Sequence, residues 1–323
     1  MAWILVTGAA GFIGWKTCEL LLAEGHQVLG VDNLNDYYDI RLKVWRRDQL
    51  ACHSNFKFFN LDIENYGALK LLFEAFPIEA VINLAARAGV RASIEDPWVY
   101  YRTNVEGTLN LLELMRKKGV KKMVLASTSS VYAGSPLPYR EDLPVSRPLS
   151  PYAASKKAAE VLTYSYHHLY DLDISVLRYF TVYGPAGRPD MSYFRFIKWI
   201  DEGRPVIVYG DGTQARDFTY VDDIARGTVK ALKPLGYEII NLGGGKNPVS
   251  INTLIEKIEN LLGKKAQVEY REFHNADMKV TWAEIGKAKE LLDWQPEVEL
   301  DKGLSITVSW YLENRDWLKK IPV

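Results

Sequence analysis

Three residues between Ala126 and Lys156 have the types and spacing needed to move a proton to or from an alcohol. Tyr152 and Lys156 lie four positions apart, so a helix would place them on one face, one turn apart. The pKa of a phenol is about 10, and a neighbouring ammonium would lower it toward neutral pH. Thr128 adds a hydroxyl that could bridge a substrate oxygen to the phenolate. The pattern predicts removal of a proton from an alcohol while a hydride leaves the same carbon.

This short pattern needs support from its surroundings, because one Tyr-x-x-x-Lys is expected by chance among 19 tyrosines. Tyr66 and Lys70 make a second match, which we interpret as chance on a surface helix. The match at Tyr152 follows Ser150-Pro151, which is typical of a helix start. It also follows a hydroxyl-rich strand end, so we assign the catalytic roles to Thr128, Tyr152 and Lys156.

The chain opens with the features of a dinucleotide site. A short apolar strand, Trp3–Thr7, leads into glycines at positions 8, 11 and 14 and then into a helix. Backbone N–H groups and the helix dipole at such a turn favour a pyrophosphate. Asp32 follows the second strand, where a carboxylate binds a ribose 2′-hydroxyl and repels a 2′-phosphate. We therefore predict NAD as the cofactor.

Further strand ends supply the other expected cofactor contacts. Asp62 and Ile63 follow the third strand and would contact the adenine, and Leu84, Ala85 and Ala86 form a small-residue strand end that a cofactor can approach closely. The full set of predicted NAD contacts is Gly8, Gly11, Phe12, Ile13, Gly14, Asp32, Asn33, Asp62, Ile63, Leu84, Ala85, Ala86, Ala126, Ser127, Tyr152, Lys156 and Tyr179.

Composition excludes several other classes of function. The 323 residues carry 40 acidic and 40 basic side chains, so nothing indicates binding to nucleic acid or an anionic membrane. Cys18 and Cys52 form no C-x-x-C pair, and the five histidines show no ligand spacing, so we predict neither a disulfide framework nor a metal site. We see no signal peptide and no apolar run of about 18 residues. We expect a cytoplasmic protein.

Alternating strands and helices predict an α/β fold with a doubly wound, parallel, Rossmann-type sheet and ligands at the carboxyl ends of its strands. The alternation breaks after Phe180, and the elements beyond it are expected to be short. We predict an NAD-binding domain from residues 1–180 and 220–249. A smaller C-terminal α/β domain for the substrate would comprise residues 181–219 and 250–323.

These motifs together resemble the extended short-chain dehydrogenase/reductase family, and within it the nucleotide-sugar epimerases. The resemblance covers nearly the whole chain, including the glycine turn, Asp32, Tyr152 with Lys156, Leu177–Phe180 and Gly210–Asp223. It implies that NAD takes a hydride from C4 of the sugar, that the tyrosine takes the hydroxyl proton, and that the 4-keto sugar turns over before the hydride returns. It also implies bound NAD that is regenerated in each cycle, and a homodimer.

The residues after Ser127 indicate a subfamily. At this place the residue pattern of the related 4,6-dehydratases resembles Thr-Asp-Glu, and that of the uronate decarboxylases resembles Thr-Ser-Glu. This chain has Thr128-Ser129-Ser130 instead, without a carboxylate. By resemblance, UDP-glucose 4-epimerases carry an asparagine at the position that Thr181 occupies here. With the polar-aromatic insertion Asn33–Asp39, the chain looks most like the UDP-glucuronate 4-epimerases, which would interconvert UDP-glucuronate and UDP-galacturonate.

The remaining substrate contacts are cations and one carboxylate. Arg216 follows a glycine-containing turn and is interpreted as a phosphate clamp, with a domain-interface ion pair as the alternative. Arg87 and Arg91 follow the fourth strand and could meet anionic groups of the substrate. The alternative is that both are solvated surface charges. The full set of predicted substrate contacts is Arg91, Thr128, Ser129, Ser130, Tyr152, Thr181, Arg188, Arg216, Arg271 and Asp277.

Some positions depart from the family pattern. Trp15 replaces a small residue, Trp3 a basic one and Arg87 a glutamine, and His274–Asp277 replaces a Pro-Gly-Asp turn near the uridine ribose.

Alternative functions are a UDP-glucose 4-epimerase, a UDP-glucuronate decarboxylase, a reductase that releases NADH, and a nucleotide-sensing regulator built on an inactive enzyme.

The homodimer would form through the helices Pro97–Lys118 and Pro151–Leu169. These helices carry apolar residues on more than one face: Leu109, Leu111, Leu112, Leu114, Ala158, Ala159, Val161 and Leu162.

Overall fold

A seven-stranded sheet organises the first two thirds of the chain. The computed structural model describes residues 2–246, 248–273 and 277–323. All strands of the sheet run parallel. From one edge to the other they are β11 (Tyr237–Leu242), β6 (Asp173–Tyr179), β5 (Lys122–Thr128), β4 (Ile78–Asn83), β1 (Trp3–Thr7), β2 (Gln27–Asp32) and β3 (Phe56–Asn60).

Helices cover both faces of this sheet, because its central strands are buried on both sides and need apolar partners on each. One face packs against α1 (Phe12–Ala23), α2 (Ile40–Leu50), α9 (Val221–Lys230) and α11 (Gly286–Leu292). The other face packs against α3 (Tyr66–Ala75), α6 (Gly107–Lys118) and α7 (Pro151–Tyr170). The predicted doubly wound, Rossmann-type fold is confirmed.

Local sequence signals start and stop the helices that carry the site. Ser150 accepts a hydrogen bond from Ala153 N and precedes Pro151 in the first turn of α7, which stabilises the helix start. The helix predicted over Pro97–Lys118 is divided into α5 (Pro97–Tyr101), a π-helical turn (Arg102–Glu106) and α6. At this wide turn Asn104 bonds to Arg87 and to Ser155, and so fixes the loop after β4, which also carries α4 (Val90–Glu95), to α7.

The later residues form a second group of elements with its own apolar core. Their strands are short, but three of their helices, α8 (Ser192–Glu202), α10 (Ile251–Leu262) and α12 (Leu300–Glu313), have 11, 12 and 14 residues, so the expectation of short elements is wrong for these helices. Each of these helices buries one apolar face in that core. The elements are β7 (Thr181–Tyr183), α8 (Ser192–Glu202), β8 (Val206–Tyr209), β9 (Ala215–Arg216), β10 (Phe218–Tyr220), β12 (Val249–Ser250), α10 (Ile251–Leu262), β13 (Val268–Arg271), α12 (Leu300–Glu313) and α13 (Arg315–Leu318).

The domain boundaries stay a prediction. The second core joins residues between 183 and 220 to residues between 251 and 321, and it also includes Leu42 of α2, which lies in the predicted NAD-binding domain. However, Ala283, Ile285, Ala288, Leu292 and Trp294 pack into the core beneath the large sheet. The C-terminal part of the chain is thus anchored to both groups of elements.

Candidate active site

One cavity lies at the carboxyl ends of the parallel strands, and the glycine turn after β1 forms part of its wall. Gly8 has φ +70°, a conformation that favours glycine. A Cβ on Gly14 would lie 2.0 Å from the carbonyl oxygen of Gly8, so the turn excludes any side chain there. No side chain caps the N-terminus of α1 at Gly11. The first N–H groups of this helix are therefore left for an anion.

The predicted cofactor contacts all line this same cavity, from the glycine turn to Tyr179. Asp32 accepts hydrogen bonds from Ala10 N at 3.1 Å and Leu34 N at 2.9 Å, which fix its carboxylate beside the turn. Asn33 donates to Asp62 at 2.7 Å and joins the ends of β2 and β3. An uncapped helix end with an adjacent carboxylate suits a dinucleotide with an unsubstituted ribose.

Lys156 contributes further donors to the cavity. Lys156 is 5% exposed, and its ammonium donates to the carbonyl oxygen of Ala126 at 3.0 Å. Its other two N–H groups have no acceptor among the described residues, so a bound polar group would satisfy them. Burial lowers the pKa of Lys156 to about 8, and the carboxylate of Glu160 opposes this shift.

Tyr152 lies one turn before Lys156 on α7, as predicted. Burial raises the pKa of Tyr152, against the opposing effects of a hydrogen bond from Thr128 and the charge of Arg188. In the chain alone the pKa of Tyr152 is therefore above its ordinary value, opposite to the direction we expected from Lys156. Desolvation of the phenolate outweighs its neighbours, and the two groups that lower the pKa are Thr128 and Arg188.

Three hydroxyl side chains line the cavity near Thr128. Ser129 and Ser130 begin a short 3₁₀ turn after β5, and Thr181 begins β7. In the described parts of the chain none of these three hydroxyls has a hydrogen-bond partner. The backbone N–H of Ser130 donates to Thr128 Oγ1 at 3.1 Å, so the hydroxyls of Ser129 and Ser130 are not used to satisfy the backbone at this strand end. The three hydroxyls are thus available to a ligand.

Two of the predicted substrate arginines also line the cavity. Arg188 binds Asp190 through two nitrogens at 3.0 and 2.6 Å. Arg216 donates to two backbone carbonyl oxygens, and burial lowers the pKa of its guanidinium despite the nearby Asp277. Arg216 forms no ion pair within the described residues, which leaves its charge for an anionic ligand.

The structure places the other two arginines differently. Arg91 lies outside the cavity lining but forms an ion pair with Asp277, which lines it, and its guanidinium lies 4.1 Å from the centre of the Tyr209 ring. Arg271 is exposed, outside the lining and paired with Glu269. A substrate contact by Arg271 stays a prediction.

Sequence reasoning missed the residues around the insertion Asn33–Asp39, which we call the strap. Asn35, Tyr37, Tyr38 and Lys43 all line the cavity. Arg87, for which the sequence left a substrate contact and solvated surface charge as alternatives, lines it too. The Tyr37 hydroxyl would lie only 2.4 Å from a Cβ on Gly89, and its ring lies 5.5 Å from the Arg188 guanidinium. The strap therefore spans from the end of β2 to the loops after β4 and β7. Its aromatic and polar composition was the available signal, although we used it only to identify a subfamily.

Two unusual tryptophans lie away from the chemistry. Trp15 packs edge-on against Trp45 and Trp3 against Phe76, and neither lines the cavity. Of the altered turn at 274–277, residues 274–276 lie outside the described residues. Within the described ranges no group of three or more His, Cys, Asp or Glu side chains could hold a metal ion. No described helix is both long and apolar enough to cross a membrane.

Comparison with known proteins places this cavity in a family. Residues 4–243 match the model of the NAD dependent epimerase/dehydratase family. The chain is 67% identical to a UDP-glucuronate 4-epimerase of Thermodesulfobacterium geofontis over 100% of both chains.

Solved structures agree with this match. UDP-glucuronic acid 4-epimerase from Bacillus cereus, in complex with UDP-glucuronic acid and NAD, is 40% identical with a TM-score of 0.90, covering 97% of this chain and 99% of that one. UDP-glucose 4-epimerase from Thermotoga maritima, with UDP-glucose, is 32% identical with a TM-score of 0.88 and the same coverage. The chain belongs to the NAD dependent epimerase/dehydratase family.

Proposed function

We propose that the protein is an NAD-dependent isomerase that interconverts UDP-glucuronate and UDP-galacturonate at C4. The observation that carries this proposal is the set of free hydroxyls of Ser129, Ser130 and Thr181 around a Thr-Tyr-Lys group in one cavity. The 67% identity to a UDP-glucuronate 4-epimerase over the whole chain supports the same substrate.

NAD is proposed to lie along the glycine turn, with its phosphates on the uncapped end of α1 and its adenosine ribose on Asp32. When bound, NAD supplies a nicotinamide ring that accepts a hydride from C4 of the sugar and returns it. The two unpaired N–H groups of Lys156 are available to orient the cofactor's nicotinamide ribose. The small strand end Leu84–Ala86 leaves room for the cofactor close to the backbone.

Proton transfer is proposed to belong to Tyr152. Its phenolate takes the proton of the C4 hydroxyl and later returns it to the same oxygen. Thr128 hydrogen-bonds to Tyr152 and favours the phenolate, as does the charge of Arg188. Lys156, one helical turn away, adds a buried positive charge to the site while it is protonated. Burial alone opposes ionisation of Tyr152, so these positive groups are required near neutral pH.

The hydroxyls explain how a uronate would survive oxidation at C4. A 4-keto uronate is a β-keto acid, and it loses CO₂ when its C–C bond aligns with the carbonyl π system. Ser129, Ser130 and Thr181 are proposed to hold the carboxylate out of that alignment. A glutamate at position 130 would repel the carboxylate and favour loss of CO₂. The chain has Ser130 at this position, which argues against a decarboxylase.

The pyrophosphate and uridine ends of the substrate are proposed to contact cavity-lining residues of the later elements. Arg216 has no carboxylate partner in the part of the chain described and is available to a phosphate. Arg188 is held beside Tyr152 by Asp190. Asp277 is paired with Arg91, so a nucleotide that binds Asp277 has to share this carboxylate or displace the arginine.

The experiment that tests the proposal is incubation of the purified protein with UDP-glucuronate or with UDP-glucose, followed by separation of the products. We expect UDP-galacturonate from the first and little change in the second. A preference for UDP-glucose would favour the UDP-glucose 4-epimerase alternative, and release of CO₂ a decarboxylase. Turnover that depends on added NAD and accumulates NADH would indicate a reductase, and no turnover of either sugar a regulator.

Cofactor content is an independent check. Because the hydride returns in every cycle, NAD need not leave, and denaturing the purified protein should release about one NAD(H) per chain. Finding NADP instead would contradict the role of Asp32, whose carboxylate would repel a 2′-phosphate.

A homodimer stays part of the proposal, although its original argument needs correction. Leu111, Leu112, Leu114 and Ala159 are at most 1% exposed and belong to the core, so they cannot form a seam. Their helices are apolar on more than one side because they lie between the sheet and other helices. Exposed apolar residues do occur on the same helical segments: Trp98, Tyr101, Leu109 and Val161. The cytoplasmic location stays a prediction.

A further inference from the structure

Lys43 and Arg87 line the cavity on the side of the strap, and Arg46 lies beside Lys43 on α2. None of these three cations forms an ion pair among the described residues. Lys43 is 4% exposed and donates to the Asn35 carbonyl oxygen at 2.8 Å. Arg46 is fully buried and donates to backbone carbonyl oxygens and the Tyr38 hydroxyl. Arg87 donates to Asn35 Oδ1 at 3.3 Å. Buried charges are ordinarily paired, so this group lacks an anion.

The position of the group relative to the glycine turn indicates which anion. Arg46 Nη1 donates to the carbonyl oxygen of Ala10, within the turn, at 3.1 Å. Lys43 lies three residues earlier on α2, on the same face of the helix, and it lines the cavity beside Asp32. Its remaining two N–H groups have no acceptor in the described ranges. Lys43 therefore has free donors close to the turn that suits a pyrophosphate.

The charges around Lys43 are mostly positive, which also favours binding of an anion beside it. Burial, together with the charges of Arg46, Arg87 and Arg188, lowers the pKa of Lys43 to about 8. The charge of Asp32 opposes this shift, and its carboxylate already accepts two backbone hydrogen bonds. A bound anion would restore the balance and keep the lysine protonated.

We propose that Lys43, supported by Arg87, is a further cofactor-binding residue that donates a hydrogen bond to a phosphate of NAD. The phosphates of the cofactor would then be held from two sides, by the N–H groups of α1 and by this cation beneath the strap. The inference rests on the proposed NAD site and not on the choice of sugar. The substrate also carries a pyrophosphate, so the test has to separate the two sources.

The test measures exchange of bound NAD for isotopically labelled NAD in the holoprotein, for wild type, K43M and K43R. Methionine keeps the length and apolar stem of the lysine but removes its charge. We expect K43M to exchange NAD about ten- to a hundredfold faster, the range for loss of one hydrogen bond to a charged group. K43R should exchange nearly as slowly as wild type. The control is K16M, since Lys16 is a partly buried lysine on α1 that pairs with Glu19 and Asp222 outside the cavity.

Binding of smaller ligands identifies the contact. In K43M, ADP-ribose should displace labelled NAD about as well as in wild type, because both ligands lose the same phosphate contact, whereas adenosine should displace NAD at a lower concentration than in wild type. The affinity of K43M for UDP should equal that of wild type. Unchanged exchange in K43M, or equally fast exchange in K43M and K43R, would overturn the proposal, as would weaker binding of UDP alone. If K43M does not fold, the same measurements on R87M replace it. None of these outcomes depends on whether UDP-glucuronate or UDP-glucose is the substrate.

Discussion

At the scale of single residues, Tyr152 carries the strongest expectation. Y152F keeps the ring but removes the only atom proposed to accept the C4 proton, and loss of a general acid–base group typically costs about 10²–10⁴-fold in rate. We expect turnover of UDP-glucuronate to fall by that factor while binding of UDP, measured by calorimetry, is unchanged. A loss below about tenfold would remove Tyr152 from this role.

The second Tyr-x-x-x-Lys match supplies the control for that variant. Tyr66 begins α3, accepts a hydrogen bond from Lys117 at 3.0 Å and lies outside the cavity lining, and Lys70 pairs with Glu74. Y66F should therefore turn over UDP-glucuronate like wild type. Spacing alone does not separate the two matches, because the difference lies in what surrounds each helix.

Thr181 carries a separate expectation about product identity. Each hydroxyl that donates to a carboxylate contributes roughly 1.5–3 kcal/mol, and a loss of about 1.4 kcal/mol of restraint raises the aligned fraction tenfold. We expect T181A and S130A to slow epimerisation and to produce UDP-4-keto-pentose with NADH, detected by chromatography and absorbance. T213A is the matched control, since Thr213 is exposed, lies outside the cavity lining and bonds to Asp211 within its own turn. Product ratios like those of wild type in T181A and S130A would contradict the carboxylate-holding role.

At the scale of elements, a buried ion pair joins α7 to the sheet behind the catalytic residues. Glu160, one turn beyond Lys156, binds Arg178 on β6 through two contacts at 2.9 and 2.8 Å and accepts from Ser127 on β5 at 2.6 Å. Burial alone would raise the pKa of Glu160, but Arg178, Lys157 and Ser127 outweigh it and lower the pKa. Glu160 is a positioning residue, because it fixes the helix of Tyr152 and Lys156 relative to Thr128.

E160Q tests this arrangement. It leaves Arg178 buried beside a neutral partner, and breaking such a pair costs about 3–5 kcal/mol of unfolding free energy. The carboxylate contributes stability above its ordinary pKa near 4.5, and that stability is lost as the pH falls below this value toward the lowered folded pKa. Denaturant unfolding from pH 7 to pH 3 should therefore show a steeper loss of stability in wild type than in E160Q. K157M, which removes only the partly exposed partner of Glu160, is the control and should change stability by less than about 1 kcal/mol. A pH 7 stability of E160Q equal to that of K157M would reject this role for the pair.

The elements also separate what the sequence could predict from what it could not. Strand β1, the glycine turn and Asp32 are marked by local residue patterns, and all were placed correctly. The strap was different, because its contacts join residues 33–39 to Gly89 and Arg188, and no local pattern encodes such long separations. Lys43 was missed for the same reason, since its burial depends on how α2 packs. The π-helical turn at Arg102–Glu106 was missed because Asn104 reaches Arg87 and Ser155 only in the folded protein.

At the scale of the whole molecule, residues of the large sheet and residues of the later elements both line the cavity. Strand β5 and helix α7 bring the proton-transfer residues from the large sheet, whereas Arg216 and Asp277 come from the later elements. The Trp15, Trp45, Trp310 and Trp317 rings form a continuous contact between α1, α2, α12 and α13. This contact holds the first helix of the cofactor site against the C-terminal helices.

The surface of the molecule carries the last expectation, the homodimer. Trp98 on α5 is 74% exposed and Val161 on α7 is 56% exposed, and exposed large apolar side chains on these two helices suit an interface with a second copy. A second copy that covers both helical segments would form a four-helix seam with two-fold symmetry. We expect light scattering at micromolar concentration to give twice the 36.8 kDa mass of the chain. V161D should shift the protein toward the monomer, because a buried unpaired carboxylate opposes association. L312D is the control, since Leu312 on α12 is 42% exposed and lies on another part of the chain. A monomeric mass for wild type would reject the dimer, and equal masses for V161D and wild type would place its interface elsewhere.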